Sequence, residues 1–494
     1  MRRSLALAAL LVVSSGVVAC SGAPGAPGSG PASGEKAPGS INPPAASLGP
    51  APTMRVVTSG LTDPWELTWG PDNFLWATEK VGRKVDRINP ADGAKSTVLD
   101  IPEVSSSGAQ DGLLGMAFAG DSVFLAYDYS PSAGPNPPPP GPDTEPPPDL
   151  RGKIVRYHYD KAAATLTAPT VVLDNLPASA DHNAGRLVFG PDQKLYYSIG
   201  DQGNNQFDRA CRPIRAQDLP TAAQVTAKDW STYVGKTLRM NPDGTVPADN
   251  PTIHGVRSHV FTYGHRNPQG LVFGPGGRLF SDEHGPKSDD EVNLLRAGKN
   301  YGWPFVAGYR DDQTYRYANW SAAPGCAGLH YDDYDLPPSV PLGPTETQWN
   351  APDYVEPLKT IYTVPTGYNF QDPACGEEFD LCWPSIAPSS IDYVPAAGAP
   401  NPALANALLV PSLKNGAVYV FKLTQDGAWV GGDVVQLFRT RNRYRDVALS
   451  PDHTKVYVAT DSEGKAGPQS GSVTGDLDNP GSILEFALTV PGQR

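Results

Sequence analysis

The feature that most constrains this chain is a short recurring unit: an apolar strand, a Gly-Pro or Ser-Pro turn, then a second alternating strand. It reads ELTWGPDNFLWATE from Glu66, RLVFGPDQKLYYSIGD from Arg186, GLVFGPGGRLFSDEH from Gly270 and DVALSPDHTKVYVATD from Asp446. Turn residues between period-2 apolar runs specify β-hairpins. A looser copy, GLLGMAFAGDSVFLAYD, begins at Gly112, and ALLVPSLKNGAVYVFKL from Ala407 reads as a further divergent unit. Hairpins repeated over several hundred residues, with almost no helical period, predict an all-β fold of the β-propeller type, whose radial arrangement leaves only short sheet edges. Six blades, each a four-stranded antiparallel sheet, fit best; the count alone is also compatible with seven or eight.

The ends of the chain read differently. Residues 1–20 have the form of a lipoprotein-type secretory signal, with Arg2 and Arg3 before an apolar run, Leu5 to Val13, that is too short to span a bilayer. The segment ends Val17-Val18-Ala19-Cys20, which resembles a bacterial lipobox, and residues 21–52 read as a Gly/Pro/Ala/Ser tether. The expectation is an exported chain, lipid-anchored through Cys20 at the outer face of the cell membrane or in the periplasm. Residues 53–494 would be a single propeller domain, interrupted at 131–148 by a Pro-rich segment that cannot join a sheet. Asp208 to Ser231, of mixed polarity, is expected to form a loop or short helix above the channel, bordering the substrate.

Four further cysteines remain, Cys211, Cys326, Cys375 and Cys382, an even number that favours disulfides in an exported protein. The short loop CGEEFDLC favours Cys375 with Cys382, leaving Cys211 and Cys326 either bridged to each other or free. The net charge of −13, without a basic stripe, speaks against nucleic acid as a partner.

Chemistry-bearing residues concentrate in two segments, Asp181 to Gln206 and Ser258 to Pro304. In the first, His182 stands between Asp181 and Asn183 just ahead of a strand. A neutral imidazole near pH 7 suits a general base, and Asp181 is expected to orient it or raise its basicity. If Arg443 and Arg445 in NRYRD lie on a strand, their spacing puts both on one side.

The segments GLLGMAF, DHNAGRLVFGPDQKLYYSIGDQGNNQ, GKTLRMNPDG, GHRNPQG, GPKSDDEVN, NYGWP, CWPSIAPSS, LVPSLKNG and NRYRDV resemble, in this order, the glucose/sorbosone dehydrogenase family. The likeness is to its soluble PQQ-dependent glucose dehydrogenases and covers nearly all of the expected domain. It implies a quinoprotein that oxidises an aldose, D-glucose as the best single guess, at C1 to the lactone. Electrons would pass to an external acceptor, a quinone, cytochrome or dye. By position in the family motifs, His182 would be the base, with Asp181 and Arg266 completing the catalytic set. Gln110, Arg266, Asn267, Gln269, Lys414, Arg443 and Arg445 would hold the tricarboxylate cofactor, and Gln110, His182, Asp201 and Trp383 would meet the sugar. Calcium would be bound by the carbonyls of Gly285 and Pro286. Further calcium, at a homodimer interface, would use Asp290, Glu291, Asp311 and Glu346 with the carbonyls of Ala307 and Tyr309. The chain departs from the family pattern at Asp380, Phe207 and His284, so the resemblance constrains substrate range least.

Two other classes compete. A calcium-dependent propeller hydrolase of lactonase type needs a central cage of acidic and amide ligands, whereas here the acids gather in one loop and the cations elsewhere. A non-catalytic carbohydrate-binding propeller leaves His182, Arg266, Lys414, Arg443 and Arg445 without a common purpose.

Overall fold

The computed structural model describes residues 53–137, 146–371, 379–399, 401–467 and 473–488. The signal, the tether, Cys20, Cys375 and part of the Pro-rich segment lie outside the described residues. Six four-stranded antiparallel sheets form the blades of a propeller. The first strands of the blades are Pro64–Trp69, Leu113–Ala119, Ala184–Phe189, Pro268–Phe273, Asp392–Val394 and Tyr444–Leu449. Each touches the next around a closed ring. The sixth blade takes its outermost strand, Met54–Thr58, from the other end of the chain, pairing it with Ile483–Ala487 and so closing the ring.

The repeats supplied the first two strands of the first, third, fourth and sixth blades, and the looser copy from Gly112 those of the second. The unit from Ala407 is phased differently. Its two strands, Ala407–Pro411 and Val418–Lys422, are the second and third of the fifth blade, whose first strand is only Asp392–Val394. The Pro-rich segment joins the second and third strands of the second blade, as a surface excursion should. Asp208 to Ser231 joins the same pair in the third blade and contains the short helix Ala222–Ala227, opened by a Thr221/Gln224 capping box. Cys211 and Cys326 are bridged, tying this segment to residues inserted between the last two strands of the fourth blade. Cys382 is disulfide-bonded as well.

The apolar core is divided among the blade interfaces. One cluster joins the first and second blades through Trp76, Val85, Met116 and Leu125, and equivalent clusters join every other neighbouring pair. The axis itself is polar. Glu66, Arg186 and Asp446 occupy the same position of the repeat and meet at the centre. Arg186 donates from Nη1 to Glu66 Oε2 at 2.7 Å and Asp446 Oδ2 at 3.0 Å, and from Nε and Nη2 to the carbonyls of Gln269 and Ser389. Gly270 holds that repeat position in the fourth blade, where a Cβ would lie 2.6 Å from Ile391 N and 2.8 Å from Asp282 Oδ1.

Candidate active site

Antiparallel pairing decides where the functional residues emerge. The start of each first strand lies beside the end of the second, as in Ala184 with Ile199, Pro268 with Glu283 and Tyr444 with Thr460. Residues just before a first strand (Gln110, Asp181, His182, Arg266, Arg443) and just after a second strand (Asp201, His284, Gly285, Lys414, Asp461) therefore share one face. That face holds a cavity of about 990 Å³, lined by Gln110, Asp181, His182, Arg266, Gln269, Lys414, Arg443 and Arg445 among others.

His182 is 6% exposed and held from behind, its Nδ1 lying 2.6 Å from Asp201 Oδ1. A carboxylate there can only accept, so Nδ1 carries a proton and Nε2 is the nitrogen left facing the cavity. The backbone supports this aim. His182 has φ +42°, and a Cβ at Gly200 would fall 1.9 Å from the His182 carbonyl oxygen, so only glycine lets the neighbouring strand end approach so closely. Asp201 is fully buried; its second oxygen accepts from Trp303 Nε1 at 2.7 Å, and it does not line the cavity. The structure thus gives the orienting place to Asp201, which the family pattern assigned to the sugar, and a different one to Asp181. Asp181 accepts from Gln110 Nε2 at 3.0 Å and Gln206 Nε2 at 2.8 Å, with His182 Nε2 3.7 Å away. Burial opposes its ionisation, but His182, Gln206 and Arg266 outweigh burial and hold its carboxyl below the usual range.

The cations are fixed without being fully neutralised. Arg443 and Arg445 turn to the same side, as their spacing predicts, and share Asp461, Arg445 Nε at 2.8 Å and Arg443 Nε at 3.1 Å. Although buried, the Asp461 carboxyl is held down at about 2 by Arg445 and Arg443. Lys414 Nζ donates to the carbonyls of Asp380 and Trp383, both at 2.7 Å; burial pulls its ammonium down to about 8, against the opposing pull of Asp290 and Asp380. Arg266 is 8% exposed and lies over the Trp303 ring; among the described residues its guanidinium donates only to the His284 carbonyl, at 3.4 Å, and leaves Nε without a partner, while its backbone N donates to Glu283. Asn267 lies beneath the floor, donating to Gln110 Oε1 and accepting from Gln269 Nε2. His284 lines the cavity and donates from Nε2 to the Pro388 carbonyl, while burial, Arg266 and His182 push its imidazole down to about 3. Trp383 lines the cavity with its Nε1 donating to Tyr334 Oη, and Asp380 and Phe207 line the same cavity.

The residues expected to hold metal divide into two groups. Gly285 and Pro286 line the cavity beside His284. Asp290 accepts from Gly285 N with one oxygen and from Ile386 N and Ala387 N with the other, which makes it a brace for that loop. Glu291 and Glu346 are buried away from the cavity; Gly308 N and Asn293 cap Glu291, while Ala307 N, Asp311 N and Asp312 N cap Glu346. Burial raises both carboxyls, Glu346 to about 8, and a cation held nearby would draw them back toward the ionised form. Among the described residues no three His, Cys, Asp or Glu side chains converge to hold a metal ion alone, so any ion there depends on main-chain oxygens. Ala307 and Tyr309 are placed beside Glu291 and Glu346 by the Ala307 and Gly308 hydrogen bonds.

Sequence reasoning assigned no role to Gln206, Trp303 or Asp461. The signal for Asp461 was in the repeat, whose second strand closes on an acid at its last residue in Glu79 and Glu283 and one or two residues beyond it in Asp461 and Asp201. That for Trp303 lay in the motif NYGWP.

A profile of the glucose/sorbosone dehydrogenase family matches residues 61–333. Quinoprotein glucose dehydrogenase B of Acinetobacter calcoaceticus is 46% identical over 435 residues, 87% of this chain and 90% of that protein. The aldose sugar dehydrogenase YliI of Escherichia coli is 30% identical over 264 residues, 51% of this chain and 62% of that one. The PQQ-bound aldose sugar dehydrogenase of Streptomyces coelicolor shares the fold, with a TM-score of 0.57 and 23% identity over 90% of this chain and 99% of that chain. Given matches of this extent, and a cation-lined cavity at the place the motifs require, the chain belongs to the glucose/sorbosone dehydrogenase family.

Proposed function

We propose that the protein is a PQQ- and calcium-dependent dehydrogenase that oxidises an aldose, D-glucose first among them, at C1 to the lactone and delivers the electrons to an external acceptor. The observation that carries this reading is His182, its Nδ1 locked by Asp201 so that Nε2 faces a cavity whose other walls carry four fixed cations, Arg266, Lys414, Arg443 and Arg445. Such a wall fits a rigid polycarboxylate, since each charge-assisted hydrogen bond contributes about 1.5–3 kcal/mol. The unpartnered Nε of Arg266 and Oε1 of Gln269 supply a donor and an acceptor in the same place. When bound, PQQ supplies the hydride acceptor and calcium the Lewis acid that polarises it. Gly285 and Pro286 are the residues whose carbonyls would hold that calcium. As hydride leaves C1, His182 Nε2 takes the proton of the C1 hydroxyl, and Asp201 stabilises the imidazolium that forms. Asp181 and Gln110 orient the hydroxyl groups beside it, Trp383 carries the apolar face of the sugar, and Arg266 opposes negative charge growing at the cofactor oxygen. We further assign residues 1–20 to export and Cys20 to lipid anchoring.

A metal hydrolase is disfavoured, since the buried acids Asp289, Glu291 and Glu346 lie outside the cavity that holds the base and no three acidic or imidazole side chains converge among the described residues. Dye reduction by the purified protein, with glucose and other aldoses, before and after adding PQQ and calcium, tests the proposal. Activity should appear only with both, and His182→Ala should lower its rate by about 10²- to 10⁴-fold. Lactone hydrolysis without PQQ, or an unchanged rate in His182→Ala, would overturn the assignment.

A further inference from the structure

A second cavity, of about 530 Å³, lies behind the wall that carries the base and is lined by Arg151, Arg209, Arg212 and Arg215, with Asp229 as its acid. Four guanidiniums around one cavity run against the composition of a chain with a net charge of −13. Arg215 is paired with Asp218 at 2.8 Å. The other three have no carboxylate partner among the described residues. Arg151 donates to Asn175 Oδ1 and its neighbour's carbonyl, Arg209 to the Gln202 carbonyl at 2.8 Å, and the Arg212 side chain makes no hydrogen bond. Burial and the charge of Arg212 lower the pKa of Arg209 against the weaker pull of Asp208 and Asp181. Positive charge is therefore held in this cavity against repulsion, which a bound anion would reverse. The frame is rigid, because Arg209 and Arg212 flank Cys211, which is bridged to Cys326.

We infer that this cavity is a binding site for a small multivalent oxyanion of the phosphate or polycarboxylate class. The proposed dehydrogenation does not use it. It is nevertheless joined to that site, since the Gln202 carbonyl that receives Arg209 belongs to the residue after Asp201, and Gln202 N donates to the His182 carbonyl.

Calorimetric titration of the full chain with pyrophosphate, and separately with citrate, at matched ionic strength tests the inference. PQQ is kept saturating so that the first cavity is filled. Should PQQ not bind, an Arg443→Gln/Arg445→Gln variant removes the competing cations, which separates failure of the proposed function from failure of this site. Both anions should bind. The exposed Arg212→Gln should weaken them about tenfold, and adding Arg151→Gln should abolish binding while leaving the melting temperature unchanged. No binding at matched ionic strength, or equal affinity in Arg212→Gln, would overturn the inference. So would an octaglutamate peptide that binds where pyrophosphate does not, which would point to an acidic protein partner.

Discussion

Two buried arginines stand near the starts of first strands in adjacent blades, Arg186 on the axis and Arg266 at the cavity. Arg186 is 2% exposed and Arg266 8%, so burial barely separates them. Saturation does. Every nitrogen type of Arg186 is engaged, by two carboxylates and two carbonyls, and its guanidinium lies 4.2 Å over the Trp65 ring. Burial and the neighbouring Asp446 push the Glu66 carboxyl up, against the opposing charge of Arg186. Arg266 has one long contact and an orphan nitrogen. A buried polar group left incomplete in this way marks a place built to receive something.

Leucine at each position is the hardest test of that contrast. Arg186→Leu leaves Glu66 and Asp446 facing one another at the axis, with Asp282 nearby, and should cost about 3–5 kcal/mol of stability, enough to prevent folding. Arg266→Leu should change stability by no more than about 1 kcal/mol yet lower the rate of the loaded enzyme by about 10²- to 10³-fold. Urea unfolding and dye reduction on both variants decide the matter. If Arg266→Leu unfolds like Arg186→Leu, saturation does not separate structure from function here.

The same contrast explains what could be read in advance. The hairpin units revealed the propeller because turn chemistry and period-2 alternation are local. They misphased the fifth blade because its first strand is three residues long and carries no turn motif. His182, Lys414, Arg443 and Arg445 were legible as motif residues. Asp461 was not, because an acid also closes the second strand of the first blade, Glu79, and there accepts from Thr62 N as part of the framework. Local sequence gives the two acids the same signal, and only the ring closure that brings Asp461 beside Arg443 and Arg445 separates them. The axial hub escaped for a related reason: Glu66, Arg186 and Asp446 align in the repeats, but their meeting depends on blades far apart in sequence.

Lys414 sharpens the comparison through pH. Its ammonium is held at about 8, below the ordinary lysine value, so it is charged below that pH and neutral above it. Loss of the charge weakens the grip on a polycarboxylate, and PQQ affinity should fall by up to about tenfold per unit above pH 8. The effect on folding has the opposite sign. Because burial disfavours the charged form, the stability contributed by Lys414 should rise between pH 8 and the unfolded value near 10.5, to which the unfolded chain returns. Affinity and unfolding profiles of wild type against Lys414→Met separate the two, and Lys414→Arg should abolish the alkaline loss of affinity. Parallel pH dependence of binding and stability would make Lys414 a framework residue like Arg186.

The smallest expected effect lies behind the base. Trp303→Phe removes the donor to Asp201 Oδ2 but keeps an aromatic ring beneath Arg266. Asp201 still holds His182 Nδ1 and accepts from Gly203 N, so it is loosened on one side only. Losing one hydrogen bond to a buried carboxylate should cost about 1.5–3 kcal/mol locally, part of which water entering from the cavity restores. The expected result is a several-fold lower kcat with KM for the sugar nearly unchanged, because Trp303 orients the base without touching the hydroxyl it serves. An equal rise in KM would mean that Trp303 shapes the sugar site directly. A fall in stability without change in kcat would place Asp201 with the saturated groups of the axis, and the orientation of His182 would then rest on its backbone alone.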